Sequence, residues 1–271
     1  MEVTELTTKE IQDETLKIMK VIDSICQKEK LNYTLFYGTL IGAIRHKGFI
    51  PWDDDLDIVM PRPDYDKLEA YFIEHEKELN PYKLFSYKTV PAYPFMINRI
   101  CNTEFDYRGK NEVYCGMGTF IDIYPLDGFG DGSDKLLAFK SHLYSSMYYM
   151  KSRLHYEKAA GFFKNMAKHA VHFLSHFYSI NMIRKRLLKC GKKYNYDESK
   201  YITCLVWTED KTPYLKSDIQ DTYRAAYEDT EFLIPKAYDK ILRYSYGDYM
   251  QLPPEEERVG HHFYKIFRKE D

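Results

Sequence analysis

The sequence predicts an α+β fold, a mixed β-sheet flanked by helices and interrupted by a basic helical insertion, and three observations carry that prediction. Period-two alternation of apolar and polar residues recurs in short runs through the first 130 residues, with helical periodicity between them. One of those runs follows four aspartates. From Lys135 to Lys193 the pattern becomes helical and dense in Lys and Arg. At 271 residues and 44% hydrophobic, the chain can bury a sizeable core. We divide it into a catalytic core at 1–130, a basic amphipathic helical region at 131–200, and a C-terminal helical part at 201–271 that completes the catalytic domain.

The elements follow in order. Thr7 and Glu10 form a capping-box pattern ahead of a helix whose apolar face is Ile11, Ile18, Ile22 and Ile25. Strands are expected at 33–37, 56–60, 82–87, 94–101 and 119–124. A short helix runs from Gly38 through Ile44, and a longer one over 63–79 buries Tyr65, Leu68, Tyr71 and Phe72. Leu136, Phe139, Leu143, Met147, Met150 and Leu154 trace a first basic helix, and Phe163, Met166, Ala170, Phe173, Leu174 and Phe177 a second. A third carries Arg184, Lys185, Arg186 and Lys189. The last helix spans 235–246 and ends at Gly247.

The chemistry concentrates at 37–60. Read as a strand, the run places Asp53, Asp55 and Asp57 on one face and turns Asp54 away. Parallel carboxylates repel, so the arrangement calls for a cation, and hard oxygen ligands suit Mg²⁺ or Mn²⁺. A solvated acidic turn after Pro51 is the alternative, against which the regular alternation speaks. Upstream, a strand, Gly38-Thr39 and a helix start together make an anion site, although a plain helix cap would look the same. Arg45, His46 and Lys47 suit a bound polyphosphate or simple charge balance. Asp122, flanked by Ile121 and Ile123, is the candidate third carboxylate, with pairing to Arg99 as the alternative. Asp127, beside Gly128, reads as a turn residue.

These residues carry a resemblance. The stretch from Tyr37 to Met60, the segment Phe120-Ile121-Asp122-Ile123-Tyr124-Pro125-Leu126 and the late Tyr246-Gly247-Asp248-Tyr249-Met250-Gln251-Leu252-Pro253-Pro254 resemble the LicD family of phosphocholine transferases, related to the fukutins. The resemblance covers about residues 10–130 and 230–262. It implies a nucleotidyltransferase-like fold, phosphate binding by Gly38 and Thr39, and metal binding by Asp55, Asp57 and Asp122. It further implies that these aspartates carry Mg²⁺-dependent transfer of phosphocholine from CDP-choline to a glycan hydroxyl, releasing CMP, with Asp122 available as general base. Arg45, Lys47, Arg99 and His261 are candidate substrate contacts. Choline is best recognised by aromatic faces, and Trp52 adjoins the aspartates among 26 tyrosines. The acceptor implied is a lipid-linked cell-surface glycan such as a teichoic acid precursor.

Charge distribution supplies the second line of argument. The segment 135–193 holds thirteen Lys and Arg against one acid, Glu157, so it carries about +12 while the remainder carries about −14. Basic amphipathic helices rich in Phe, Tyr and Met dock on anionic membranes or pack on their own domain with lysines outward. No nucleic-acid-binding motif is present, so nucleic acid is not expected as a partner. Five scattered cysteines without a C-x-x-C pair suggest reduced thiols, and no signal peptide is visible, so the expected location is cytoplasmic with peripheral contact at the inner membrane face. His169, His172 and His176 read as a polar helix face.

Rival functions stay open on these residues. A glycosyltransferase shares Asp-x-Asp but needs no Gly-Thr turn or third strand carboxylate. A small-molecule nucleotidyltransferase would share the whole site and release pyrophosphate, and CDP-ribitol or CDP-glycerol could replace CDP-choline as donor. An inactive membrane-surface adaptor is the non-enzyme alternative.

Overall fold

The computed structural model describes residues 4–208, 210–260 and 264–269. Helix α1 (Thr8–Glu29) starts as its sequence dictates: the Glu10 amide donates to the Thr7 hydroxyl at 3.3 Å and the Thr7 amide to the Glu10 carboxylate at 2.9 Å. Its buried stripe, Ile11, Ile18, Ile22 and Ile25, is the face the periodicity predicts.

A mixed sheet forms the centre. Strands β1 (Thr34–Leu35), β2 (Asp57–Pro61), β3 (Tyr82–Phe85), β4 (Asn98–Asn102) and β6 (Thr119–Gly128) are ordered β1-β2-β6-β4-β3. Only β2 and β6 pair in parallel among the described strands, and helix α3 (Arg62–Glu74) follows β2. Both faces of the sheet are covered. Ile58, Met60, Ile121 and Ile123 pack into one core cluster, and Val59, Phe120, Tyr124 and Leu126 into another. By that alternation, Asp57 shares the face of Val59, and Asp122 that of Phe120 and Tyr124.

The sequence did not signal every strand. β5 (Phe105–Gly109) pairs with β11 (Tyr264–Arg268), and β7 (Tyr201–Thr203) and β8 (Tyr214–Leu215) extend the sheet from the end of β6. β9 (Thr222–Tyr227) and β10 (Thr230–Pro235) form a hairpin around Glu228, which is left-handed at φ 52°. The C-terminal part, expected as helical, is therefore mixed: besides five strands it holds α7 (Lys216–Gln220) and α8 (Tyr238–Tyr246), which Gly247 ends as predicted. The hairpin also fixes the basic loop. Glu228 donates its amide to the Lys47 carbonyl and accepts the Phe49 amide on its carboxylate, and a Cβ on Gly48 would fall 2.1 Å from that carboxylate.

The insertion leaves and rejoins the sheet at neighbouring positions, since β7 pairs with Asp127 and Gly128 of β6. Its helices are α4 (Lys135–Ser152), α5 (Phe162–Ser175) and α6 (Ile180–Gly191). On α4 the buried residues are Leu137, Ser141, Ser145, Met147, Tyr148 and Ser152, whereas Leu136 and Phe139, and Leu154 just past its end, are exposed. The predicted face is thus rotated by about one residue, and on the buried side the Ser141 hydroxyl donates to the Leu205 carbonyl. Asp127 is no turn residue. It is fully buried in β6 and accepts a hydrogen bond from Arg62 Nε at 2.6 Å.

Candidate active site

The parallel pairing of β2 and β6 sets Asp57 and Asp122 side by side as Cα partners, an inter-strand spacing of about 4.8 Å. The strand begins only at Asp57, so Asp53, Asp54 and Asp55 lie in the segment entering it rather than alternating within it. The Asp122 amide donates to the Leu56 carbonyl at 3.1 Å, which carries the β6 pairing one residue upstream of β2.

The Gly-Thr turn is braced against the same strand. Helix α2 (Tyr37–Ile41) runs on into a π-helical turn, Gly42–His46, where a single helix over 38–44 was expected. The Thr39 hydroxyl, buried, accepts the Asp57 amide at 2.9 Å. A Cβ on Gly38 would lie 3.1 Å from Asp53 Oδ2, so glycine lets the carboxylate segment approach the turn. Tyr37 takes a left-handed φ of 49° and sets its ring edge-to-face on Phe36 and Tyr124.

Two cavities meet here, sharing Asp55, Tyr124 and Trp207. The first, about 550 Å³, is bounded by Asp122 and carries cations, Arg99, Lys110 and Arg153, alongside Glu112 and Glu157. The second, about 520 Å³, adds Asp57 and Asp210 with the rings of Tyr37, Tyr244 and Tyr246, and no Lys, Arg or His among the described residues lines it. The Tyr246 and Tyr37 hydroxyls are held protonated. Burial, then the charges of Asp57, Asp210 and Asp55, push Tyr246 up, and burial followed by Asp210 does the same to Tyr37.

Arg99 occupies a central position. Its guanidinium lies over the Phe95 and Phe120 rings, 4.1 and 3.9 Å from their centroids, and grips both oxygens of Asp122. Burial opposes its charge most strongly, but Asp122, Tyr93 and Tyr107 together outweigh burial, so Arg99 stays ionised. The pairing weighed for Asp122 from sequence is thus present, and Arg99 bounds the first cavity with its donors directed at that carboxylate.

Other expected contacts lie elsewhere. Arg45 donates from Nη1 to the Tyr249 carbonyl at 2.7 Å, and Trp52 meets His46 edge-to-face. Neither these two nor Lys47 lines either cavity. His261 lies outside the described residues. His169 and His172 pack on Tyr156, and His172 on His176. Among the described residues no three His, Cys, Asp or Glu side chains close on a common metal position. Asp55, Asp57 and Asp122 nonetheless offer only carboxylate oxygens at neighbouring positions, a donor set that fits a hard divalent cation. Sequence reasoning missed Arg153, Trp207 and Asp210, and gave Tyr246 no role beyond its place in the resembling segment 246–254. Trp207 and Asp210 lie beyond residue 200, and nothing in their spacing ties them to 37–60.

Comparison with known proteins agrees with this geometry. A family described as "LicD/FKTN/FKRP, nucleotidyltransferase domain" matches residues 30–128, the span from before β1 to the end of β6. A protein of Haemophilus influenzae named "Lipopolysaccharide cholinephosphotransferase LicD" is 30% identical over 97% of this chain and 98% of its own length. An uncharacterised protein of Rickettsia typhi is 44% identical over 42% of this chain and 34% of its own.

Proposed function

The chain belongs to the LicD family, and from that premise we propose that it transfers phosphocholine from CDP-choline to a hydroxyl of a cell-surface glycan and releases CMP. The observation that carries the proposal is the seam at Asp55, where a cavity lined by paired cations and carboxylates and an aromatic, acidic one meet beside Asp57 and Asp122. In this reading Asp55, Asp57 and Asp122 hold Mg²⁺ or Mn²⁺, which supplies charge neutralisation for the donor diphosphate. Gly38 and Thr39 line the donor's phosphates from the turn, Thr39 chiefly by holding the start of β2 in place.

The charge of each cavity supports an assignment of its contents. A trimethylammonium group carries a permanent positive charge and no N–H donor, so it favours aromatic faces and nearby carboxylates. The second cavity offers Trp207, Tyr246 and Asp210 and, among the described residues, no competing cation. The first, with Lys110, Asn111, Glu157 and the Arg153–Glu112 ion pair among aromatic rings, suits a hydrated, hydroxyl-rich glycan acceptor. The acceptor hydroxyl would give up its proton to a carboxylate of the site and attack the β-phosphorus in line: the new O–P bond forms, the bond to the bridging oxygen breaks, and CMP leaves with the electron pair. Positioning and electrostatics supply the barrier reduction, with no covalent enzyme intermediate.

We place the acceptor on a lipid carrier at the inner face of the membrane, a teichoic acid precursor being one such glycan. No helix among the described residues is long and apolar enough to cross a membrane. The test is product analysis with CDP-choline and Mg²⁺. CMP with phosphocholine on the glycan is expected; pyrophosphate release would replace this reading with nucleotidyl transfer, and preference for CDP-ribitol or CDP-glycerol would change the donor.

A further inference from the structure

Helix α5 turns a stripe of large apolar side chains to solvent. Phe162 and Phe163 are each 77% exposed, and Met166, Phe173, Leu174 and Phe177 between 44% and 68%. Helical spacing sets these residues on one side, while Ala167, Lys168 and Val171 line a groove of about 340 Å³ with His142 and Met150 of α4. The helix is therefore held by α4 along one side and uncovered along the other. A contiguous apolar face of this size is uncommon on a monomer and marks an interaction surface.

Its surroundings say what covers it. From Lys158 to Tyr196 the chain carries nine Lys and Arg and no Asp or Glu. A second copy of the same segment would bring the same positive charge and be repelled. An anionic lipid surface satisfies both features, apolar side chains entering the acyl boundary and lysines remaining among the headgroups.

The position of α5 relative to the site gives this docking a purpose. The α4–α5 groove shares Tyr149, Met150 and Lys168 with a narrow recess, and that recess shares Tyr149, Arg153 and Glu157 with the first cavity. We infer that α5 lies in an anionic lipid surface by its Phe162–Phe177 face and that a lipid-linked acceptor reaches the first cavity along the α4–α5 side. The inference rests on the lipid-linked acceptor proposed above.

The test uses the full chain and vesicles of phosphatidylcholine alone or mixed equally with phosphatidylglycerol. Sedimentation with the mixed vesicles only is expected. Phe163→Ser/Phe173→Ser, and separately Lys185→Glu/Lys189→Glu/Lys192→Glu, should each weaken it by about tenfold or more, with transfer to a water-soluble, lipid-free glycan unchanged. Variants that sediment like the parent, equal binding to neutral vesicles, or a solution dimer abolished by the Phe changes would each overturn the inference. Vesicle binding by a chain that transfers no phosphocholine would uphold the docking and remove the functional reading; transfer to soluble glycan by a chain that ignores vesicles would do the reverse.

Discussion

Arg99 and Asp122 are joined by two hydrogen bonds, Nε to Oδ1 at 2.5 Å and Nη2 to Oδ2 at 3.1 Å, with both side chains buried. They also face each other across the antiparallel β4–β6 pair, so the backbone register sets the contact. Removing one partner leaves a charge without compensation in a desolvated position. Arg99→Ala should therefore lower stability by about 3–5 kcal/mol, as read from urea unfolding. The double variant Arg99→Ala/Asp122→Asn should recover much of that loss without recovering transfer. A single variant as stable as the parent would show that the pair does not hold this part of the sheet.

Asp55 and Asp57 border the cavities at the entry of β2. Asp55→Ala and Asp57→Ala should each reduce turnover at least about a hundredfold while leaving the unfolding midpoint within a few degrees. Near-normal turnover by either would remove it from the proposed metal site. Mg²⁺ titration of the residual activity adds a second readout, because loss of a ligand raises the metal concentration needed.

What could be read in advance follows physical lines. The capping box at Thr7, the amphipathic α1 and the β2 and β6 strands were legible because local pattern and burial agree there. Strands β5, β7, β8, β9, β10 and β11 were not: β5, β7 and β11 pair with partners distant in sequence, β8 is two residues long, and the β9–β10 hairpin turns at Glu228-Asp229 with no glycine or asparagine to mark it. The site divides similarly. Asp55, Asp57 and Asp122 announce themselves by carboxylates beside apolar strand residues, while Trp207, Asp210 and Tyr246 come together only through the fold. Trp52 misled for the same reason: adjacency in sequence to the aspartates placed it on His46, away from both cavities. The α5 stripe was read correctly as periodic, but periodicity alone cannot say whether such a stripe is covered.

The second cavity's selectivity is open to direct test at Asp210. Its carboxylate accepts the Thr212 amide at 2.8 Å and the Tyr214 hydroxyl at 3.0 Å, which fixes its direction. Asp210→Asn keeps an acceptor and removes the charge. The kcat/KM ratio for CDP-choline over CDP-glycerol, whose alcohol group carries no charge, should fall by about tenfold, the effect of losing one favourable cation contact. An equal fall for both donors would assign Asp210 to holding the loop and move the ammonium elsewhere.

Lys211, the next residue, gives a prediction in pH. Its Nζ donates to the Leu205 carbonyl at 2.8 Å, and burial pushes its pKa down from 10.5 to about 8, partly offset by Cys204, Asp127, Cys190 and Asp210. The unfolded chain therefore holds this proton up to about pH 10.5, whereas the folded chain releases it near pH 8. Between those values the unfolded state binds more protons, so the lysine's contribution makes stability rise with pH. Below pH 8 the full cost of burying the ammonium applies. Lys211→Met should then stabilise the fold at pH 7 by about 2–3 kcal/mol, and its advantage should shrink as pH approaches 10. Ser141 Oγ also donates to the Leu205 carbonyl, so that acceptor keeps a partner in the variant. Urea unfolding of both proteins across pH 7 to 10 checks this: a stability difference that stays constant with pH would mean that Lys211 is not the group titrating.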